Sequence, residues 1–444
     1  MKNLLLTIRN RSRFLCLALP MILACMATVR SQAQSESVLY SFILSNGRQT
    51  FPSSLVEDAS GNLYGTTQLG GAYGFGSIFE LSPTANGWKK SLLHSFTGGH
   101  DGATPNSGVI LDGAGNLYGT AEFGGDTTLC GGGGCGVVFE LYRTSLGGWA
   151  ERVLDVFRGG TDGAAPQGLA FADANTLYGF AAQGGTRQNC NGYIGCGTAF
   201  QLARQTSGAW KFKVIHIFTG GLDGGTPWAT TPAIDSSGNV YGVTELGGNP
   251  RYCVNMFVES VGCGVVFKLS QTAKGGWAES ALYRFFGNGD GAVPVGGLTF
   301  DAAGNLYGNA SAGGSLAGNC SENAGCGMVF ELSPTAAGLW HETHLHTFSI
   351  SEGSGPHGAL ALDASGNLFG STSWAGSSTS NGGTVFELTP GASGWTLTTL
   401  HAFQRDGVDG LTPSGVLLAP SGHILGTTSI GGSVNGGIVY EITP

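Results

Sequence analysis

Ten cysteines, nine histidines and 29 acidic residues are the groups in this 444-residue chain that could hold a metal, relay a proton or attack a carbonyl. Eight of the cysteines fall into four local pairs: Cys130 with Cys135, Cys190 with Cys196, Cys253 with Cys263, and Cys320 with Cys326. Close, even pairing of this kind predicts loop disulfides. Zinc needs four converging ligands, and these spacings match no familiar zinc module. Among the carboxylates, Glu122 and Glu245 leave equivalent strands of a repeat and are the pair that glycoside cleavage would need, although nothing in the sequence sets their separation. Gln68 and Ser311 stand at the same point of the repeat, and Tyr252 and Trp374 lie near it as rings that could stack on sugars. The stretch His341-Glu-Thr-His-Leu-His346 invites a metal reading. His346, however, occupies the position of His94, His216 and His401, where Tyr40 and Tyr283 stand elsewhere, as a structural position would allow. No nucleophile elbow, His-Glu-x-x-His motif or phosphate-cradling loop occurs. The expectation is therefore no catalytic constellation, no metal site and no cofactor.

These residues sit on a repeat. The turn and strand Gly-Asn-Leu-Tyr-Gly recurs seven times, with its aromatic at Tyr64, Tyr118, Tyr178, Tyr241, Tyr307 and Phe369, and Leu425 in the last copy. Each unit carries four short segments bounded by Gly, Pro, Asn or Asp, such as 107–112, 116–120, 136–141 and 149–157, the pattern of a four-stranded antiparallel meander. Nearly continuous apolar runs, such as Ile-Phe-Glu-Leu at 78–81, predict sheets covered on both faces. The fold expected is all-β: a seven-bladed β-propeller of four-stranded antiparallel blades. Residues 37–42 match a fourth strand and the C-terminal residues 437–444 a third, so one blade is expected to join both ends and close the ring. The 79 glycines fit many tight turns.

Two acidic positions recur. Asp58, Asp112, Asp173, Asp235, Asp301 and Asp363 open the turn between first and second strands, mostly as Asp-x-x-Gly-Asn, and are expected to hold that turn. Asp101, Asp162, Asp223, Asp290 and Asp409 head an Asp-Gly pair in the connection between repeats, either as turn residues or as oxygen ligands for calcium. A meander places that connection and the cysteine loops on one side, the expected binding face.

Units such as Gly61-Asn-Leu-Tyr-Gly-Thr-Thr onward to Pro83, followed by 92–105, resemble the GloVer-type tandem repeat of bacterial surface proteins, the choice-of-anchor proteins, over about residues 37–444. The Asp-x-x-Gly-Asn-Leu-Tyr core also resembles NHL-type propeller repeats. The resemblance implies an exported, propeller-like protein and supplies no catalytic residues.

Residues 1–33 carry five basic residues, four of them ahead of an uncharged apolar stretch, and then a small-residue site, the layout of a signal peptide preceding a domain at 34–444. Cys25, after Ile-Leu-Ala, leaves lipoprotein processing open as an alternative. The stretch is short for a membrane span, so none is expected in the mature chain. The formal net charge of −9 becomes −14 without the leader, which argues against nucleic acid and anionic lipid as partners. The expected protein is secreted, periplasmic or cell-surface, monomeric, and a non-catalytic binder of a glycan or a surface protein. A carbohydrate-active enzyme using carboxylates of the same face, or a purely structural surface protein, remain the alternatives.

Overall fold

The computed structural model describes residues 35–43, 54–186, 189–190, 193–249, 253, 262–287, 289–314, 320, 325–376 and 382–443. Residues 1–33, with Cys25, and Tyr252 lie outside them.

Seven four-stranded antiparallel sheets follow one another along the chain. Blade 1 is Val56–Glu57, Leu63–Thr67, Ser77–Thr84 and Gly87–Ser95; blade 2 is Ile110–Leu111, Leu117–Ala121, Val137–Arg143 and Trp149–Val156. Blade 3 is Ala164–Asp173, Thr176–Gln183, Thr198–Arg204 and Trp210–Ile217; blade 4 is Ala233–Ile234, Val240–Thr244, Val265–Gln271 and Trp277–Arg284. Blade 5 is Ala292–Phe300, Leu306–Ala312, Met328–Pro334 and Trp340–Thr347; blade 6 is Ser354–Leu362, Leu368–Trp374, Thr384–Gly391 and Gly394–Ala402. Blade 7 is Gly410–Leu418, Ile424–Gly431 and Ile438–Thr443, and its fourth strand is the N-terminal Ser35–Ser41, paired antiparallel with the C-terminal strand from Ser35 opposite Thr443 to Ser41 opposite Ile438.

The core lies between blades. Each of the seven junctions holds its own cluster of buried apolar residues, including that of blade 7 with blade 1, where Phe42, Leu63, Phe79, Leu425 and Val439 meet. Each junction also contains one edge-on or tilted ring pair, made by the aromatic just after a fourth strand and a ring on the next blade's third strand. Phe96 with Phe139 is 5.3 Å between centroids, and the ring-closing pair Phe42 with Phe79 is 5.1 Å. Edge-to-face contacts of this kind add to the area buried. The second glycine of the Gly-Asn-Leu-Tyr-Gly motif serves this packing: a Cβ on Gly119 would lie 2.6 Å from the Phe139 ring.

At one end, each Asp closes the turn between first and second strands. In blade 2, Asp112 Oδ1 accepts the backbone N–H groups of Ala114 (2.8 Å) and Asn116 (2.9 Å). Its Oδ2 accepts Asn116 Nδ2 (2.8 Å) and the Tyr118 hydroxyl (3.2 Å). Burial pushes this carboxyl up, but the four bonds outweigh it and hold the carboxyl below its usual range. Asp58, Asp235 and Asp301 repeat all four bonds. Asp363 faces Phe369 in place of Tyr and keeps three.

The first strands depart from expectation. In blades 1, 2 and 4 the strand is two residues long instead of about six. In blades 2 to 7 the chain enters this strand through a residue of positive φ followed by proline, which breaks the ladder: Thr104 (φ 54°), Ala165 (54°), Thr226 (55°), Val293 (55°), Gly355 (62°) and Thr412 (58°).

Candidate functional site

The opposite end of the ring is built from the loops between second and third strands and the connections from each fourth strand to the next blade. Each of the four cysteine pairs is a disulfide in the first of these loops, with Cα separations of 5.2 to 5.4 Å. In the first three pairs the sulfurs rest on a glycine of the connection that leaves the same blade. A Cβ on Gly159 would lie 2.6 Å from Cys130 Sγ, and one on Gly220 2.6 Å from Cys190 Sγ. Blade 1 has no cysteine there; Phe75 takes the second cysteine's place and covers Gly98 with its ring at 2.8 Å from such a Cβ. The backbone carbonyl of the second cysteine then accepts the N–H of the strained residue that opens the next blade, as Ala165 does to Cys135 (3.0 Å) and Val293 to Cys263 (2.9 Å). The first three disulfides thus fix a loop, a connection and the entry of the neighbouring blade at once.

The Asp-Gly carboxylates are spent on their own turns. Asp101 accepts the Thr97 N–H (2.8 Å) and hydroxyl, Asp290 the Phe286 N–H (2.9 Å) and Tyr283 hydroxyl (3.0 Å), and Asp409 the Gln404 N–H (2.8 Å) and His401 Nε2 (3.0 Å). His94, His216, His346 and His401 each lie 3.0 to 3.4 Å from an acid of this connection. Glu36, His401 and Asp409 bring their ligand-type atoms within 4.8 Å of one another. Equivalent glutamates act on the same pairs at other junctions, Glu151 on Asp101 and Glu279 on His216 and Asp223, so the group belongs to the packing of blade against blade. Burial is the largest effect on each: it pushes the Glu151 carboxyl up to about 7, with Asp101 adding to it.

The residues after the repeated prolines line a central cavity of about 300 Å³: Asn106, Gln167, Trp228, His357 and Ser414, with Gln68, Thr230, Thr231 and Ser429. None of the lining residues is an acid, a lysine or an arginine, and burial pushes the His357 pKa down, so the wall is neutral. Gln167 is held at both ends, donating Nε2 to the Ala165 carbonyl (2.9 Å) and accepting the Ala229 N–H at Oε1 (3.1 Å).

The residues singled out from sequence scatter around this cavity. Gln68 lines it and donates Nε2 to Asn106 Oδ1. Ser311 donates its hydroxyl to the Val293 carbonyl (3.0 Å). Glu122 and Glu245 stand four residues after the motif aromatics of blades 2 and 4, each with its own N–H on the carbonyl of the strained residue, Thr104 or Thr226 (both 3.1 Å). Burial raises both carboxyls to about 7. They belong to different blades, and no hydrogen bond joins them. Trp374 is 58% exposed on the loop side of blade 6.

Sequence reasoning missed the distribution of exposed apolar side chains. Fourteen large hydrophobic residues are exposed among the described residues. Ten of them are on the disulfide side: Ile43, Tyr73, Phe75, Phe123, Leu222, Phe286, Ile350, Trp374, Val408 and Val434. They come from loops all round the ring, whereas the far end exposes only Leu146 and Leu339. It also missed Trp228, whose signal is a length: from the repeated proline to the position of the turn Asp, blade 4 has one residue more than blades 2, 3, 5 and 6 and two more than blade 7. Ala229 has a positive φ (48°), as the glycines at its position in blades 5 to 7 do, and Thr230–Thr231 pair in parallel with Gly296–Gly297 of the next blade.

Fold and site together define a seven-bladed β-propeller with one disulfide-pinned loop face, and disulfides in this number indicate an oxidising compartment. The family model of the Gloeobacter/Verrucomicrobia repeat matches residues 26–190, 127–319 and 316–444, and the chain belongs to that repeat family. The sequence matches none of the curated proteins. Among solved structures it is similar to a 6-phosphogluconolactonase candidate from Bacteroides uniformis (15% identity, 84% of this chain and 89% of that one, TM-score 0.51). It is also similar to the extracellular domain of a two-component-system candidate from B. thetaiotaomicron (11% identity, 91% of this chain and 39% of that one, TM-score 0.52). Likeness at these identities extends to the fold alone. Among the described residues no helix is long and apolar enough to cross a membrane.

Proposed function

We propose that this is an exported, non-catalytic binding protein that holds a glycan against its disulfide-pinned face. The observation that carries the reading is the crowding of exposed hydrophobic side chains onto that face, five of them aromatic: Tyr73, Phe75, Phe123, Phe286 and Trp374. Apolar side chains gathered on one face of the ring suit a surface that a partner covers. Rings surrounding a neutral polar opening suit pyranoses, which stack by their C–H faces and hydrogen-bond by their edges. The leader at residues 1–33 directs export, with cleavage near Ala33 or lipidation at Cys25 distinguished by the mass of the mature N-terminus.

The test is a glycan array run beside a polysaccharide degradation panel on the purified mature protein. The expected result is saturable binding of a neutral glycan, reduced about tenfold by Trp374→Ala or Phe123→Ala, without change in the glycan. New reducing ends or unsaturated products would make it a carbohydrate-active enzyme. Capture of a surface protein in place of any glycan would leave the face and replace its ligand. No binding in either format would leave a structural role.

A further inference from the structure

We propose that the central cavity is itself a recognition site, for one neutral, hydroxyl-rich unit of monosaccharide size packed against Trp228. This deepens the reading of the loop face as a glycan binder by placing the end of the chain in the channel, and it rests on different residues.

Size limits the ligand first. At about 300 Å³ the cavity is at the lower end of the roughly 300–1,000 Å³ of small-molecule sites, room for a single ring and not for a polymer. Charge limits it next. With no acid, lysine or arginine in the wall and His357 neutral, an ionised ligand would lose its hydration without gaining an ion pair. A neutral polyol meets instead amide and hydroxyl groups that both donate and accept.

Part of that hydrogen-bonding capacity is unused. The Thr230 hydroxyl is 1% exposed, lines the cavity and has no hydrogen-bond partner among the described residues. A buried polar group without a partner is costly to keep unless a ligand or water meets it. The Asn309 carboxamide, also 1% exposed, gives Nδ2 to the carbonyl of the cavity-lining Gly358 (2.8 Å) and leaves Oδ1 without a partner.

The local backbone is also unusual where Trp228 enters. The passage is longer here than in the other described blades, and two residues past the proline, where blades 5 to 7 hold a left-handed glycine (Gly296 φ 84°, Gly358 φ 78°, Gly415 φ 121°), blade 4 alone holds a left-handed non-glycine residue, Ala229. Glycine takes that conformation without strain, so keeping alanine there, where three other copies use glycine, points to use of this copy. Gln167, from the preceding blade, holds the strained Ala229 N–H and so fixes Trp228's place in the wall.

The experiment is saturation-transfer NMR and calorimetry on the mature protein. The probes are glucose, galactose, mannose, xylose and N-acetylglucosamine, each neutral, against glucuronate and galacturonate. At least one neutral sugar is expected to bind with about millimolar affinity or better and the uronates more weakly. Trp228→Ala should weaken binding about tenfold, with Trp228→Phe restoring part of it, while Trp374→Ala leaves it unchanged. Melting curves show which variants are folded, and Asn106→Leu, a neutral change of similar size, repeats the test if Trp228→Ala does not fold. Failure of every neutral sugar to bind, tighter binding of the uronates, or unchanged affinity in a folded Trp228 or Asn106 variant would overturn the proposal. If polymeric glycan still binds in a Trp374-dependent way while no monosaccharide does, the channel proposal falls and the loop-face reading stands.

Discussion

The two ends of this ring are made by the same seven repeats and differ in almost everything else. At the turn end of blades 1, 2, 4, 5 and 6, an Asp closes on the backbone two and four residues on, with the same partners and nearly the same distances. At the loop end, the segment between second and third strands runs from six residues (432–437) in blade 7 to twenty (245–264) in blade 4, and the residues after the prolines are Asn, Gln, Trp, Val, His and Ser in blades 2 to 7. Uniformity marks the groups that folding consumes. Divergence on a rigid scaffold marks groups that folding leaves free for a partner.

The largest effect expected from breaking this contrast is at the turn end. Asp112→Ala removes four hydrogen bonds to a carboxylate and should destabilise the ring by about 2–3 kcal/mol in denaturant unfolding, with glycan affinity unchanged below the melting range. At the loop end, Cys130→Ser with Cys135→Ser should cost about 2 kcal/mol at most, the value of closing so short a loop. Its clearer readout is proteolysis: cleavage should become faster between residues 123 and 136 and not at the turns, because a released loop opens locally.

A smaller effect concerns the carboxyls buried between blades. Burial lifts the Glu151 pKa from 4.5 to about 7, so folding takes up a proton there. Its stabilising contribution is complete below about pH 4.5 and is lost as the pH rises through about 7. Glu151→Gln, which keeps the shape of the neutral form, should therefore raise the melting temperature at pH 8 and change it much less at pH 5. An equal shift at both values would show that the carboxyl is ionised throughout. Smallest for stability is Trp374→Ala, within about 0.5 kcal/mol of zero because the ring is exposed, although this is the substitution expected to reduce glycan binding.

Much of the architecture can be read from the chain, because the features that build it repeat. The seven aromatic strand motifs, the spare strand at the N-terminus and the four cysteine pairs each have one physical solution, and the structure contains it: blades, a shared seventh blade and loop disulfides. The truncated first strands of blades 1, 2 and 4 were not legible, since a positive φ at Thr104 or Thr226 leaves no compositional trace when the residue is not glycine. The site was legible only in part. Attention to the ends of the second strands finds Gln68 at the cavity and Trp374 on the face, but the cavity wall comes mainly from the residues after the repeated prolines. Their signal is a departure from the repeat, which becomes visible only once the repeat has been aligned. Phe75 in the place of a cysteine is the same kind of signal, one contact to glycine made by a different side chain.

The claim on which the account depends is that the ligand meets the loop end and not the turn end. Hydrogen–deuterium exchange with and without the glycan selected on the array tests it directly. The account predicts slowed exchange in the disulfide loops, the connections between blades and residues 226–231, with the Asp-x-x-Gly-Asn turns unchanged. Protection at those turns, with none in the loops, would contradict it.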